Sequence, residues 1–318
     1  MKKTFSFLLF FCALSSLVYS QKISVTKIQQ VTDNTQSEFY YPKLSPDNQK
    51  LFFTSSNYAG LWALDLQSKK ISQVSKDLGA GYEFTFTDDG QSVIYRINKF
   101  NENGLRVSQS IIQKNLSTLQ EKVIATGTDL SAPKMLAGQN MAFTSSDALQ
   151  LKSSIGEVKT NGVVAKTSNI SDQLFTCIEH QKIALYINGE KKILAPLGEG
   201  NYIWPSVSPD GTKLLFTRAG KGTYVSDLQG NIQANLGYAN APQWSPDGKW
   251  ILFMKDYDNG TDVTSSDIFA YNLLNSQTTQ LTDTKDIHEM YPQWSSDGQK
   301  VIFNSADGKI FLMELKAE

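Results

Sequence analysis

One short pattern recurs along the chain, and it constrains the fold more than any other feature. Its clearest copies are Tyr41-Pro-Lys-Leu-Ser-Pro-Asp47-Asn-Gln-Lys-Leu-Phe-Phe53 and Trp204-Pro-Ser-Val-Ser-Pro-Asp210-Gly-Thr-Lys-Leu-Leu-Phe216. Two more are Ala241-Pro-Gln-Trp-Ser-Pro-Asp247-Gly-Lys-Trp-Ile-Leu-Phe253 and Tyr291-Pro-Gln-Trp-Ser-Ser-Asp297-Gly-Gln-Lys-Val-Ile-Phe303. A weaker copy from Tyr82 to Tyr95 has lost the proline, and one from Ala132 to Phe143 has lost the turn aspartate. Each copy predicts a tight hairpin. Proline opens a first strand where no ladder donor is needed. In Ser-Pro-Asp-Gly, Pro presets φ, Asp bonds its own backbone, and Gly accepts a positive φ. The alternating Lys-Leu-x-Phe run that follows reads as a second strand.

Leu61–Leu66, Asp267–Leu273 and Lys309–Leu315 then read as third strands, and Gln73–Ser75 and Thr279–Thr282 as fourth strands. Four strands in a unit repeated at about 40 residues mark a propeller blade. First strands fall at Pro42, Gly81, Pro133, Pro205, Pro242 and Pro292, and the interval between Pro133 and Pro205 is nearly two blades long. A degenerate fourth blade is expected there. Its first strand is placed near Val163–Thr167, followed by strands over Gln173–Cys177, Lys182–Ile187 and Lys191–Ala195, with Asn188-Gly189 as a hairpin turn. The expected fold is therefore an all-β propeller of seven four-stranded blades, and six blades is the alternative. The last copy ends after three strands, while Lys27-Ile-Gln-Gln-Val-Thr32 resembles a fourth strand that precedes the first blade. The N-terminal segment is therefore expected to complete the last blade and close the ring.

Residues 1–20 have the layout of a secretory signal peptide. Lys2 and Lys3 precede an apolar stretch from Phe5 to Val18, and Val18 and Ser20 occupy the −3 and −1 places before Gln21. The stretch is too short for a membrane span. Cys12 lacks the context of a lipoprotein signal, so no lipid anchor is expected. Cleavage near Ser20/Gln21 leaves residues 21–318 as one periplasmic or secreted domain with a single cysteine, Cys177, which excludes an intramolecular disulfide. The whole chain carries a formal charge of −1 and has no basic run, which gives no footprint for nucleic acid.

The copies resemble the TolB-type propeller repeat, whose hallmark is Pro-x-Trp-Ser-Pro-Asp-Gly followed by a strand ending in Phe. The resemblance covers residues 39–315. It implies a propeller in a cell-envelope setting. It leaves function open, since the repeat is shared by peptidase propellers, oligogalacturonate lyases and binding proteins. No counterpart of the extra N-terminal domain of TolB is expected, and no hydrolase domain after Leu315.

Catalytic chemistry has little to work with. There are two histidines. His180 matches a turn position, and His288 immediately precedes a first strand. Two histidines cannot build the histidine cluster that a lyase of the related type needs around its metal. No Gly-x-Ser-x-Gly elbow is present. Asp256, Asp258 and Asp262 alternate as calcium-loop ligands do, but Asp267 stands where an EF-hand needs glutamate. A flexible acidic loop is the reading preferred to calcium, and no cofactor is expected. The residues just ahead of the first strands converge on one face by blade geometry. They include Glu38, Tyr40, Tyr41, Tyr82, Glu83, Tyr202, Trp204, Tyr238, Asn240, His288, Glu289 and Tyr291. Aromatic rings with a few acids and amides suit a peptide or a sugar. The expectation is a non-catalytic propeller that engages an envelope protein or peptide. The alternatives are an oligosaccharide-binding module, or a carbohydrate-active or metal-dependent enzyme using His288, Glu289 and Glu38.

Overall fold

The Ser-Pro-Asp-Gly turns fold by internal hydrogen bonding. In each, a serine hydroxyl donates to the aspartate two residues on and accepts from a backbone N–H five residues on. Ser45 serves Asp47 and Lys50, Ser208 serves Asp210 and Lys213, Ser245 serves Asp247 and Trp250, and Ser295 serves Asp297 and Lys300. Thr87 does the same for Asp89 and Ser92 where serine is lost. The hydrogen bond from Ser45 holds the Asp47 carboxyl below the usual carboxylate range, as that from Thr87 does for Asp89. The turn glycines lie at positive φ, 71° at Gly211 and 69° at Gly248. Asn48 tolerates the same conformation in the first copy, at 57°.

A computed structural model describes residues 22–32, 38–136, 140–146, 148–153 and 174–317. Among these the strands form seven antiparallel sheets, five of four strands and two of three. The N-terminal strand is β1 (Ile23–Gln30). Blade one comprises β2 (Tyr40–Leu44), β3 (Lys50–Thr54), β4 (Ala59–Asp65) and β5 (Ile71–Leu78). Blade two comprises β6 (Thr85–Phe86), β7 (Ser92–Phe100), β8 (Arg106–Asn115) and β9 (Glu121–Gly127). Blade three shows β10 (Lys134–Leu136), β11 (Asn140–Ser145) and β12 (Ala148–Ser153). Blade four shows β13 (Leu174–Glu179), β14 (Lys182–Ile187) and β15 (Glu190–Leu194). Blade five runs through β16 (Tyr202–Val207), β17 (Lys213–Arg218), β18 (Gly222–Asp227) and β19 (Ile232–Gly237). Blade six has β20 (Asn240–Trp244), β21 (Trp250–Asp258), β22 (Val263–Asn272) and β23 (Gln277–Gln280). Blade seven has β24 (Glu289–Trp294), β25 (Lys300–Ser305) and β26 (Ile310–Ala317).

First strands of neighbouring blades touch, β24 reaching both β20 and β2, so these strands line the axis of the ring. The hydrophobic core is divided among the joints between blades. Phe52, Leu61, Phe84 and Tyr95 fill the joint of blades one and two, and Leu174, Leu185, Tyr202 and Phe216 that of four and five. Fully burying each such side chain stabilises by roughly 1.5–3 kcal/mol.

Blade seven is completed by β1. It runs antiparallel to β26, from Ile23 opposite Ala317 to Gln30 opposite Phe311. Val31 N–H donates to the Ile310 carbonyl at 2.8 Å, and Ile310 N–H donates to Thr32 Oγ1 at 2.9 Å. Ile23 is buried among Val301, Phe303 and Met313. The expected closure is therefore present.

Blade four departs from expectation in phase. The stretch Val163–Thr167 lies outside the described residues. The strand expected to be second, β13, takes the innermost place. Cys177 pairs with Ala184 at the register where Lys43 pairs with Phe52. Lys134 Nζ donates to the Thr176 carbonyl at 2.9 Å, as Lys43 Nζ donates to the Phe84 carbonyl of blade two at 2.8 Å. The strands expected as third and fourth thereby become second and third. The cause is the turn. His180 and Gln181, at φ 48° and 64°, make a two-residue bend where other blades carry Ser-Pro-Asp-Gly. No motif then fixes the phase of the strand pattern.

Two outcomes follow from these contacts. Deleting residues 22–32 should lower the midpoint of a single cooperative thermal transition, because closure couples all seven blades; an unchanged midpoint would contradict closure. Ser245→Ala should cost about 1–2 kcal/mol in urea unfolding, since it strips the partner from a buried turn N–H.

Candidate functional site

In an antiparallel four-stranded blade, the loop leaving the second strand and the loop entering the first lie at the same end. Both kinds of loop therefore frame one mouth of the ring. Five first strands enter that mouth past a non-glycine residue in the left-handed region: Tyr41 at φ 52°, Glu83 at 47°, Trp204 at 53°, Ala241 at 47° and Tyr291 at 52°. The ladder slips at four of these places, between Tyr40 and Lys43, Ile203 and Ser206, Asn240 and Gln243, and Met290 and Gln293. Such conformations cost of order 1–3 kcal/mol each and persist where surrounding structure over-determines them.

At blades seven, one and two these entries bring tyrosines together. The Tyr41 ring lies 4.3 Å from that of Tyr291 and stacks at 4.7 Å on Tyr58. Tyr58 meets Tyr82 edge-on at 5.0 Å, and the Arg96 guanidinium lies 5.4 Å from the centre of the Tyr82 ring. The row therefore spans three blades and ends on a cation. Burial pushes the Tyr41 hydroxyl up to about 12 and also raises those of Tyr58 and Tyr82, so all three are neutral at physiological pH.

Beyond Tyr82 the row opens on a cleft of ≈ 360 Å³ between blades one and two. It is lined by Asn57, Tyr58, Leu78 and Gly79 of blade one and its outgoing loop, and by Tyr82, Arg96, Asn98 and Phe100 of blade two. Asn57 and Tyr58 are consecutive residues at positive φ, 58° and 56°. Gly79, at φ 87°, lets backbone approach Asn98 so closely that a Cβ there would lie 2.4 Å from the Asn98 amide nitrogen. Arg96 is anchored through Nη1 to the Leu130 carbonyl, while its buried Nε has no partner among the described residues. Leu78 and Phe100 are exposed, as are Leu105 and Val107 on the hairpin that continues from Phe100.

The remaining expected residues are dispersed. Glu38 is exposed and accepts from the Tyr40 hydroxyl at 2.8 Å. Glu83 is exposed beside Tyr82, and Trp204 is half-buried. Tyr202 is 0% exposed, packed on Phe216 with its hydroxyl bonded to backbone at Leu197 and Gly198, so it serves the core between blades four and five. Tyr238 and Asn240 both donate to Asp256, at 3.2 and 2.6 Å. Asp258 caps its own turn through Gly260 N–H, and Asp262 accepts from Thr261. His288 is half-buried with Nδ1 lacking a partner among the described residues. Among those residues no three His, Cys, Asp or Glu side chains come together as a metal cluster.

Tyr58, Leu78, Arg96, Asn98 and Phe100 were not expected from sequence. The signal that could have found them is Tyr58-Ala-Gly60 between a second and a third strand, since that loop shares the mouth with the first-strand entries.

Comparison with known proteins shows the fold alone. No protein-family model matches the chain. An uncharacterized protein of Agrobacterium fabrum is 29% identical over 117 residues, and the match spans 34% of this chain and 37% of that protein. An oligogalacturonate lyase in complex with manganese superposes with a TM-score of 0.50 at 13% identity, over 93% of this chain and 96% of its own. A chain of the mitotic checkpoint complex superposes with a TM-score of 0.63 at 12% identity, over 92% and 94%. TolB of Acinetobacter baumannii aligns at 18% identity over 89% of this chain and 64% of its own, with a TM-score of 0.49.

One buried acid at the mouth gives a pH signature. Glu289, at the start of β24, is 0% exposed. Its Oε1 accepts from Thr284 Oγ1 at 2.8 Å, and Oε2 has no partner among the described residues. Burial pushes its carboxyl up to about 7, against the opposing hydrogen bond from Thr284. The unfolded carboxyl titrates near 4.5. Between those values the folded state holds a proton that the unfolded state has lost, so stability is full below the lower value and falls as pH rises to the upper one. The loss is about 3 kcal/mol. Urea unfolding should show that loss in the wild type and a markedly smaller one in Glu289→Gln; equal slopes in both would assign the pH dependence elsewhere.

Proposed function

We propose that this is an exported, non-catalytic binding propeller that holds a protein or peptide partner at the mouth formed by blades seven, one and two. Export is supported by the leader-like residues 1–20. The observation that carries the binding reading is the row Tyr291–Tyr41–Tyr58–Tyr82, ending on Arg96 and opening on a cleft edged by exposed Leu78 and Phe100. Large rings fixed by their neighbours present contact area at little conformational cost, and tyrosine and arginine are the side chains on which interface energy concentrates. A groove with apolar edges and one cation accepts a segment that carries an apolar side chain beside an acidic or carbonyl group. The shared fold places binding on no residue by itself.

A carbohydrate ligand is the second reading. The stacked tyrosine faces favour it, since sugar rings also pack on aromatic planes, and one neighbour of the same fold is an oligogalacturonate lyase.

A photo-crosslinking amino acid at Phe100 should capture a protein from envelope extract, and the same group at Leu119, in a turn at the opposite end of blade two, should not. Tyr82→Ala should then weaken the captured complex by about 10- to 30-fold, the loss of a hot-spot side chain. Equal capture at both positions, or binding of oligosaccharides with no protein captured, would overturn the protein reading.

A further inference from the structure

The first strands, which line the axis, carry one equivalent position on the residue after the proline place. Blade by blade it holds Lys43, Thr85, Lys134, Cys177, Ser206, Gln243 and Gln293, each paired with the third residue of its second strand. Neutral polar groups dominate this belt, and its two charges are both ammonium groups. Lys43 Nζ reaches the Phe84 carbonyl of blade two at 2.8 Å. Lys134 Nζ reaches past blade four, bonding the Thr176 carbonyl at 2.9 Å and the Pro205 carbonyl of blade five at 3.4 Å. Its ammonium is thus held across the inner strands. Beside Pro205, the Ser206 hydroxyl is buried and has no hydrogen-bond partner among the described residues.

We propose that the central channel binds a small oxyanion, a carboxylate or a phosphate, between Lys43, Lys134 and Ser206. Three observations converge on it. Neither lysine forms an ion pair among the described residues, so two cations share the channel without a paired anion. Each ammonium has three donors, and the carbonyls engage one on Lys43 and two on Lys134, which leaves donors for a ligand. An unpartnered buried hydroxyl, that of Ser206, belongs to the residue next to the Pro205 carbonyl that Lys134 contacts. Burial holds the Lys43 ammonium below the ordinary lysine range; Lys134 adds to that depression and only Glu83, at the mouth, opposes it. An anion placed between the lysines would offset both desolvation and like-charge repulsion, and charge-assisted hydrogen bonds to such an anion are the strong class. The site lies on the axis, apart from the cleft of blades one and two, and stands or falls independently of the partner reading.

Calorimetric titration of the full folded protein, at constant ionic strength, tests it with four probes: acetate, inorganic phosphate, triglycine, and triglycine amide. Saturable binding of acetate and triglycine but not of the amide would identify a carboxylate, such as a chain terminus entering the channel. Saturable binding of phosphate alone would identify a free inorganic anion. In either case Lys43→Met and Lys134→Met should each weaken binding by about tenfold or more, the effect of removing one charged partner. Lys43→Gln serves if a methionine variant loses its far-ultraviolet circular dichroism. Lys255→Met, whose ammonium lies over the Phe253 and Phe269 rings, should leave binding unchanged. No saturable binding of any probe to the wild type, or binding that survives both channel substitutions, would overturn the proposal.

Discussion

The structure depends on the ladder between β1 and β26. A propeller has no central core of its own; its apolar side chains are divided among joints between neighbouring blades, such as Phe52 with Phe84 or Leu185 with Phe216. Each joint is stable only while both of its blades are held in place. Without the N-terminal strand, blade seven would present Phe311 and Met313 beside an unpaired strand edge, an invitation to fraying and aggregation. With it, hydrogen bonds join residues nearly the whole chain apart, and the seven joints support one another.

That mutual support explains why the mouth can keep strained backbone. Tyr41 and Tyr291 hold a left-handed conformation that bulky residues avoid. The closed ring fixes their strands, and the bulges turn the two tyrosines into contact with each other and with Tyr58. Blades seven and one are also tied at the far end, where Ser296 donates to the Pro46 carbonyl at 2.8 Å and Asn48 donates to Asp297 at 3.2 Å. The blade that closes the ring is therefore also the blade from which the aromatic row starts, at Tyr291.

Much of the fold was legible because its turns are chemical. Ser-Pro-Asp-Gly writes a hairpin into the sequence through side chains that bond their own backbone, and the strands around it inherit a register. Where that chemistry is absent, so was the legibility. Blade four turns on His180 and Gln181, and nothing in those residues says which strand comes first; the pattern of apolar residues was right and its phase was one strand out. The site was half legible. Tyr41, Tyr82 and Tyr291 stand beside the motif and could be placed at the mouth by counting. Arg96 lies midway along a second strand, Phe100 at its far end and Leu78 at the end of a fourth, positions that become neighbours only when two blades pack. Tyr202 shows the converse, since an aromatic ahead of a first strand can equally fill a joint.

Native-state hydrogen exchange tests closure most directly. If the ring is one cooperative unit fastened by β1, the amides of Ile23–Gln30 that bond to β26 exchange only through global unfolding, with the same free energy as the central strands β17 and β25. If those amides exchange several kcal/mol more easily while the central strands stay protected, β1 frays on its own and closure is not what holds the mouth in shape.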